Sequence, residues 1–335
     1  MSEKTKKAAI VFTGGTIGSA AKDGVISVNG GAKRALLSKA SARTGKIYDF
    51  DQYEPYTVLS ENVSGKEITL LAECMSQILK KDYKGVVVTH GTDTLQYTAS
   101  LLSYLLGANT PPVVLVSSDY PLDDERANGT DNFIAATEFI ENGCGKGVFV
   151  AYKNPGENVK IHRGGRLLPA VAYSGAIYSV RNSFYGEYID GKFIKNEKYV
   201  AIPDEITPIG AVKLSEYANG ILWIKPYAGL FYPPLSASVK AVLHDSFHSG
   251  TVRTDGTAVV RFAAELKEKN IPLYLTGATG KGAHYESTRK YGELGFKILP
   301  EISPVAAYCK LWLALTTGKK EDFLFASLGE DILPE

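Results

Sequence analysis

Short apolar runs alternate with longer amphipathic stretches through the first half of the chain. The runs at residues 8–12, 85–89, 112–117 and 147–152 are rich in valine and other apolar residues, which predicts buried strands. Helical patterns cover residues 32–42, 64–81, 94–106 and 128–142, and residues 48–59 are predicted to be extended. The second helix opens with Ser64-Gly65-Lys66-Glu67, which has the form of a capping box. This β-α-β-α order predicts a parallel sheet with helices on both faces.

The pattern changes after residue 152 and then resumes. Asp190-Gly191 predicts a hairpin turn, and the proline-containing stretch 199–208 indicates a connector. The remaining strands are predicted at residues 209–214, 220–224, 239–243 and 271–276, with helices at 252–269 and 303–316. The chain is therefore predicted to be an α/β protein with an N-terminal domain at residues 1–195 and a smaller C-terminal domain at 210–335.

Composition excludes several classes of function. A formal net charge of +1 favours neither nucleic acid nor a membrane surface as a partner. There is no secretory signal pattern and no apolar run approaching the ~20 residues of a membrane span. The three cysteines, Cys74, Cys144 and Cys309, are far apart and are expected to be free thiols. These features predict a cytoplasmic protein.

Two threonine-glycine segments carry the chemistry. Thr13-Gly14-Gly15-Thr16-Ile17-Gly18 follows the first predicted strand, and Thr89-His90-Gly91-Thr92-Asp93-Thr94 follows a later one. Strand ends of this kind meet at one edge of a parallel sheet, where ligands bind. We therefore predict that the hydroxyls of Thr16 and Thr92 face one crevice together with the Asp93 carboxylate. A hydroxyl can act as a nucleophile when a neighbouring group activates it.

Other interpretations of these segments remain open at the level of sequence. The first can be a plain glycine turn, although its spacing does not match a phosphate-binding loop. In the second, Asp93 or Thr94 can cap the following helix. A metal site is not expected, because His244 and His248 lie in a predicted loop without a third ligand.

Taken together, the two segments resemble the two signatures of bacterial-type L-asparaginases and glutaminases. Further similarity to the cytoplasmic branch of that family extends over the chain at Pro121-Leu122, Arg126, Asn132 and residues 295–311. The resemblance implies a flavodoxin-like N-terminal domain and a smaller α/β C-terminal domain. It also implies dimers or tetramers, no metal or organic cofactor, and hydrolysis of L-asparagine to L-aspartate and ammonia.

The resemblance also implies roles for individual residues. Thr16 would be the nucleophile that accepts the acyl group, and Thr92 would position the attacking water. Asp93 would bind the substrate α-ammonium group, and Ser60 its α-carboxylate. Backbone N–H groups near Gly15 and Thr92 would stabilise the oxyanion. The predicted substrate-binding set is completed by further residues: Gly15, Glu61, Gly91 and Ser118 from the same chain, with Ser249 and Glu286 near the loops that a neighbouring subunit would contribute.

Three departures from the family pattern change this expectation. Val25 stands where the family carries a lid tyrosine, and no lysine follows the turn at residues 163–166. Lys22, Lys160 or Arg166 could replace the missing groups. Glu61 follows Ser60 where the family has a neutral residue, and it places negative charge where an α-carboxylate should bind.

The departures leave three hypotheses. The first is hydrolysis of the side-chain amide of L-asparagine. The second is hydrolysis of a modified or larger amide by the same mechanism. The third is a catalytically weak homologue that binds an amino acid.

Overall fold

A computed structural model describes residues 7–22, 25–28, 30–278 and 285–334, and side chains outside residues 18–32. The N-terminal half contains strands β1 (Ala9–Phe12), β2 (Ser19–Lys22), β3 (Val25–Val28), β4 (Asp51–Tyr53), β5 (Val86–Thr89), β6 (Val113–Val116), β7 (Val148–Lys153), β8 (Val159–Arg163), β9 (Gly186–Ile189) and β10 (Lys192–Lys195). Its helices are α1 (Gly30–Thr44), α2 (Gly65–Ile78), α3 (Leu95–Leu106) and α4 (Gly129–Glu141).

Eight of these strands form one sheet in the order β10-β9-β8-β7-β6-β5-β1-β4. The five strands β4, β1, β5, β6 and β7 are parallel, and the other three extend the sheet in antiparallel fashion. Counted along the chain, the parallel part has the flavodoxin-like order 2-1-3-4-5. Strands β2 and β3 form a separate antiparallel hairpin.

Apolar residues cover both faces of the large sheet. Val86 and Val88 of β5 pack in a cluster with α2 and α3, whereas Val87 packs in a second cluster with α1 and α4. All three valines are completely buried, as expected for a central parallel strand. The predicted βαβ layering is therefore confirmed.

The C-terminal half forms a second, smaller sheet. Strands β11 (Ile221–Ile224), β12 (Ala241–Asp245), β13 (Leu273–Thr276) and β14 (Phe296–Ile298) pair in parallel in chain order. The helices are α5 (Thr257–Glu268), α6 (Tyr291–Leu294), α7 (Pro304–Thr317) and α8 (Asp322–Phe325). Helix α7 packs against α3 of the first half, and the two halves share one apolar cluster. In the described part of the chain, no helix is long and apolar enough to span a membrane.

Some element predictions were wrong. Residues 209–214 form no strand, because their amides pair with α2 and α3 instead. Ile209 and Gly210 donate to the carbonyls of Tyr104 and Leu105 at 3.1 and 3.0 Å, and Leu214 donates to the Thr69 hydroxyl. Within the stretch 48–59, which was predicted to be extended, Asp51–Tyr53 forms a strand. Helix α5 begins at Thr257 rather than at residue 252, and His244 lies in β12 rather than in a loop.

Candidate active site

The two threonine-glycine segments meet at the point where the strand order of the large sheet reverses. The chain passes from β1 outward to β4 on one side, and through β5, β6 and β7 on the other. Thr16 begins a short 3-10 turn directly after β1, and Thr92 follows β5, the neighbour of β1. Such a reversal opens a crevice at the carboxyl ends of the strands, which is where open α/β sheets bind ligands.

Glycines allow the two loops to touch through their backbones. A Cβ atom on Gly15 would lie 2.3 Å from the amide nitrogen and 2.4 Å from the Cα of Gly91, so no side chain fits there. Gly15 also has a φ of +75°, in the left-handed region that favours glycine. Thr16 and Thr92 each come one residue after this contact. The hydroxyl of Thr13 adds a buried hydrogen bond of 2.6 Å to the Thr89 carbonyl.

The side chains of both predicted catalytic threonines are half-buried at this crevice. Neither the Thr16 nor the Thr92 hydroxyl has a hydrogen-bond partner among the described residues. A half-buried hydroxyl that has no partner in the described part of the chain can bind a substrate or water.

Ser60 and Asp93 form a hydrogen-bonded pair beside the threonines. The Ser60 hydroxyl donates to Asp93 Oδ2 at 2.8 Å and accepts from the Asp93 amide at 3.3 Å. Ser60 is buried, whereas Asp93 is exposed at the start of α3. The positive end of the helix dipole stabilises a carboxylate at that position. The pair can therefore present a fixed negative group to a ligand ammonium.

The capping interpretation of the second segment is wrong in its detail. Thr94 is the N-cap residue of α3, but its side chain makes no capping hydrogen bond. Its hydroxyl donates to the Ser60 carbonyl at 2.8 Å, and the Asp93 carboxylate accepts from Ser60. Both side chains therefore hold the Ser60 turn against α3, and the Thr94 side chain does not cap the first amides of the helix.

His90 is a supporting residue that the sequence did not single out. Its Nδ1 lies 2.8 Å from the Gly91 carbonyl, and its Nε2 lies 2.9 Å from the Thr98 hydroxyl. The ring is completely buried, and this burial lowers the pKa of His90 to about 4. A neutral imidazole therefore fixes the backbone between Gly91 and Thr92. Only its position inside the motif could have indicated this role.

Ser118 follows β6 at the same edge, but its hydroxyl is engaged by the protein. It donates to the Tyr120 carbonyl at 2.5 Å and accepts from the Gly129 amide at 3.2 Å. The neighbouring Asp119 accepts from the amides of Tyr120 and Asn128, and its burial raises its pKa. A substrate contact by Ser118 remains a prediction.

Two of the three basic residues considered as replacements are held elsewhere. Arg166 is completely buried and donates to the carbonyls of Glu330, Val200 and Ile332 at 2.7, 2.9 and 3.2 Å. Lys160 donates to Glu157 at 2.6 Å. The side chains of Lys22 and Val25, and all of Asp23-Gly24, lie outside the described residues.

The described residues contain no cluster of histidine, cysteine and carboxylate side chains that could hold a metal ion. His244, considered above as a ligand, is buried with both ring nitrogens engaged. Its Nδ1 lies 2.6 Å from the Asp245 carbonyl, and its Nε2 lies 3.2 Å from the Tyr232 hydroxyl. His244 is therefore a packed histidine.

Glu61 lines a cleft between the two halves of the chain. This interdomain cleft has a volume of about 910 Å³ and begins beside the Ser60–Asp93 pair, at Glu61 and Thr94. Its far wall is aromatic and comes from α3, β11 and α7. The aromatic residues are Tyr97, Trp223, Tyr308 and Trp312. They are distant in sequence, so no local pattern predicts the cleft.

Comparison with known proteins places this arrangement in a context. Residues 7–172 match the model of the family described as asparaginase, N-terminal. L-asparaginase 1 of Escherichia coli strain K12 is 32% identical over 166 residues, which are 49% of this chain and 47% of that protein. The matched region is thus about half the length of this relative.

A second relative and a solved structure extend the similarity along the chain. A glutamyl-tRNA(Gln) amidotransferase component from Pyrobaculum aerophilum is 25% identical over 317 residues, covering 86% of this chain and 74% of that one. The structure of the thermostable L-asparaginase from Thermococcus kodakarensis superposes with a TM-score of 0.79 at 20% identity, covering 98% of this chain and 100% of that one. This similarity shows a shared fold.

Proposed function

This chain belongs to the asparaginase family, and from that premise we propose that it is an amidohydrolase that cleaves the side-chain amide of L-asparagine. The proposed products are L-aspartate and ammonia. The observation that carries the proposal is the backbone contact of Gly15 with Gly91, which brings Thr16 and Thr92 to one crevice. The alternative within the same chemistry is a modified or larger amide.

In the proposed reaction, the Thr16 hydroxyl attacks the carbonyl carbon of the side-chain amide. An ester bond forms to Thr16 Oγ1, the C–N bond breaks, and the nitrogen leaves as ammonia with the proton that the Thr16 hydroxyl gives up. A water molecule positioned by Thr92 then hydrolyses the ester and restores Thr16. Asp93 binds the α-ammonium group, and the Ser60 hydroxyl holds Asp93 in place.

Backbone amides are the proposed donors to the oxyanion. The Gly15 amide donates to the Val58 carbonyl at 3.1 Å, so we assign this task to the amides of Thr16 and Thr92. Glycine at positions 15 and 91 lets the substrate carbonyl approach these groups closely. Removal of one such donor costs a typical enzyme about 3 kcal/mol of transition-state stabilisation.

Loss of the nucleophile tests this proposal. The Thr16→Ala variant should release ammonia from L-asparagine at least about 10³-fold more slowly than the unmodified protein. Thr317→Ala is the matched control, because Thr317 only donates to the Leu313 carbonyl in the last turn of α7. Full activity of the Thr16 variant would refute the assigned nucleophile.

A second candidate is an amino-acid-binding homologue with very slow turnover. One observation favours it: among the described residues, no lysine or arginine side chain hydrogen-bonds or ion-pairs with Asp93 or Thr92. A positioned acid or base typically contributes ~10²–10⁴ in rate. Calorimetric binding of L-asparagine without ammonia release from any amide would support this candidate over hydrolysis.

We also propose that the chain forms a homo-oligomer in the cytoplasm. Val171 and Tyr173 project large apolar side chains from one loop, and Tyr173 is fully exposed. The three cysteines are unpaired, which suits a reducing compartment. Sedimentation of the purified protein as a dimer or tetramer would agree with the proposal, and a stable monomer at working concentrations would refute it.

A further inference from the structure

The interdomain cleft starts where the proposed site for the amino-acid head group ends. Glu61 and Thr94 line its mouth, and they directly follow Ser60 and Asp93 in sequence. The Thr94 hydroxyl bonds to the Ser60 carbonyl at 2.8 Å, so the mouth of the cleft and the Ser60–Asp93 pair are parts of one connected unit. A group attached to the substrate head can therefore extend into the cleft.

Carboxylates predominate among the charged groups of the cleft. Glu61 is exposed at the mouth and has no hydrogen bond or ion pair within the described part of the chain. Glu67 and Glu216 also line the cleft, and Lys66 is the one basic residue among its described lining residues. Glu67 accepts hydrogen bonds from Ser64 and caps α2, and the Glu216 side chain accepts a hydrogen bond from Tyr217. Glu61 is therefore the carboxylate of the cleft that has no partner in the described part of the chain.

The aromatic wall suits a cation with an apolar stem. The rings of Trp223 and Tyr308 stack with centroids 5.0 Å apart, and Tyr97 meets both of them edge-on. The Lys225 ammonium already lies 5.0 Å from the Trp223 ring, on the aromatic cluster that forms this wall. Ring faces attract ammonium groups, most strongly where water is partly excluded.

One polar group of the wall has no partner. Trp312 is 8% exposed and lines the cleft, and its indole N–H is buried without an acceptor in the described structure. A buried donor that lacks an acceptor is unfavourable by about 1–3 kcal/mol. Because this N–H is buried, Trp312 contributes the apolar surface of its ring to the cleft.

We propose that the cleft binds the cationic arm of an extended substrate: an asparagine unit whose α-carboxyl group is joined through an amide to an amine-bearing chain. This inference rests on the proposed function. A free α-carboxylate about 4 Å from Glu61 would be repelled by about 4 kcal/mol at an effective dielectric constant near 20. Conversion of that carboxylate into a neutral amide removes the repulsion, and the distal ammonium group gains Glu61 and the aromatic wall as partners.

The chemistry of the scissile bond is unchanged by this assignment. Water still hydrolyses the side-chain amide, ammonia is still released, and the amide that carries the arm stays intact. The arm contributes binding energy and selectivity only. Asparaginyl compounds with a basic second unit are therefore the substrate class.

Binding can be measured without catalysis, because both tryptophans of the chain, Trp223 and Trp312, line the cleft. Alanine 4-aminobutylamide and alanine butylamide serve as probes, since neither contains a hydrolysable side-chain amide. The cationic probe should change the tryptophan fluorescence saturably, with a Kd at least tenfold below that of the neutral probe. Equal affinities, or no saturable change with either, would overturn the proposal.

Turnover provides the second test, with three substrates in one ammonia assay. Asparagine α-(4-aminobutyl)amide should exceed asparagine α-butylamide and free L-asparagine in kcat/KM by at least tenfold. Glu61→Gln should reduce the preference for the cationic amide to near unity, mainly through KM. The matched control is Glu73→Gln, an exposed glutamate of α2 outside the cleft, which should keep the preference.

The outcomes separate this inference from the proposed function. If L-asparagine is the best substrate, or if Glu61→Gln keeps the preference, the assignment of the cleft fails and the amidohydrolase proposal stands. If no amide releases ammonia, the proposed function fails. The fluorescence titration then still decides whether the cleft binds cations. Equal Kd values for the cationic and the neutral probe would refute cation binding as well.

Discussion

At the scale of single residues, the contact between Gly15 and Gly91 determines the site. Gly15 and Gly156 both have a φ of +75°. A Cβ atom on Gly15 would clash with the backbone of Gly91, whereas a Cβ atom on Gly156 would have no neighbouring atom within 4 Å. Alanine at either position carries the left-handed strain of roughly 1–2 kcal/mol. The steric clash occurs only at position 15 of the two. Comparison of Gly15→Ala with Gly156→Ala therefore separates the clash from the backbone strain.

We expect Gly15→Ala to lower the free energy of unfolding by about 1–3 kcal/mol more than Gly156→Ala, because the two loops must move apart. The same movement separates Thr16 from Thr92, so ammonia release should fall sharply in the first variant and stay unchanged in the second. Urea unfolding and the ammonia assay measure the two effects. Equal stability of both variants would contradict the close approach.

The buried histidines make stability depend on pH. Burial lowers the pKa of His90 to about 4 and that of His162 to about 3, from the ordinary value of 6.5. Between the lowered pKa of each histidine and 6.5, its side chain is protonated in the unfolded chain but not in the folded chain. The free energy of unfolding should therefore fall as the pH drops below about 6.5, by about 1.4 kcal/mol per histidine for each pH unit.

Urea midpoints between pH 7 and 5 check this expectation. A His90→Gln variant should show a shallower pH dependence than the unmodified protein, because one of the buried histidines with a lowered pKa is removed. If that variant does not fold, His162→Gln gives the same comparison at a site away from the threonines. A pH dependence that neither substitution reduces would contradict the neutral, buried state of these rings.

The location of the candidate site could be predicted where short motifs mark it. Thr16, Thr92 and Asp93 were singled out because each motif follows a strand, and the parallel order of the sheet brings the motifs to one edge. Arg166 was considered as a cation for the site, and it is buried among carbonyls of the C-terminal segment instead. Two of its carbonyl partners, Glu330 and Ile332, lie 164 and 166 positions further along, and Val200 lies 34 positions further along. No sequence pattern links Arg166 to any of them.

At the scale of elements, α2 starts at the edge of the cleft and its capping box is confirmed. Ser64 accepts from the Lys66 amide, and Glu67 accepts from the Ser64 amide at 3.0 Å. Ser64→Ala should lower the free energy of unfolding by about 1 kcal/mol. Ser236→Ala, in an exposed loop, is the matched control. Equal urea midpoints for the two variants would show that the cap does not stabilise α2.

The elements that were predicted wrongly are those whose hydrogen bonds are made with distant parts of the chain. Residues 209–214 have an apolar pattern suited to a strand, yet their amides bind the end of α3 and the Thr69 side chain. Strands β1, β5, β6 and β7 were predictable because their burial leaves a continuous apolar run in the sequence. Tertiary hydrogen bonding leaves no comparable local signal.

At the scale of the whole molecule, the C-terminal segment joins the two halves through buried charges. Glu330 pairs with Arg163 of β8 at 2.7 Å. Asp331 accepts from Lys310 of α7 at 2.7 Å and from the Tyr104 hydroxyl of α3 at 2.9 Å. Lys310 and Asp331 are both completely buried, so each ion depends on the other. The packing of α7 on α3, which closes one side of the interdomain cleft, is held at this point.

Comparison of a single with a double variant tests this junction. Lys310→Met leaves the Asp331 carboxylate buried without its counter-ion and should lower the free energy of unfolding by about 3–5 kcal/mol. Adding Asp331→Asn removes the unpaired charge and retains an acceptor, so the double variant should be more stable than the Lys310 single variant. Lys269→Met breaks an exposed pair with Glu265 and should change stability by less than about 1 kcal/mol. If the double variant is less stable than Lys310→Met, the unpaired charge of Asp331 is not the reason for the loss of stability. The hydrogen bonds to Asp331 are then what holds the two halves together.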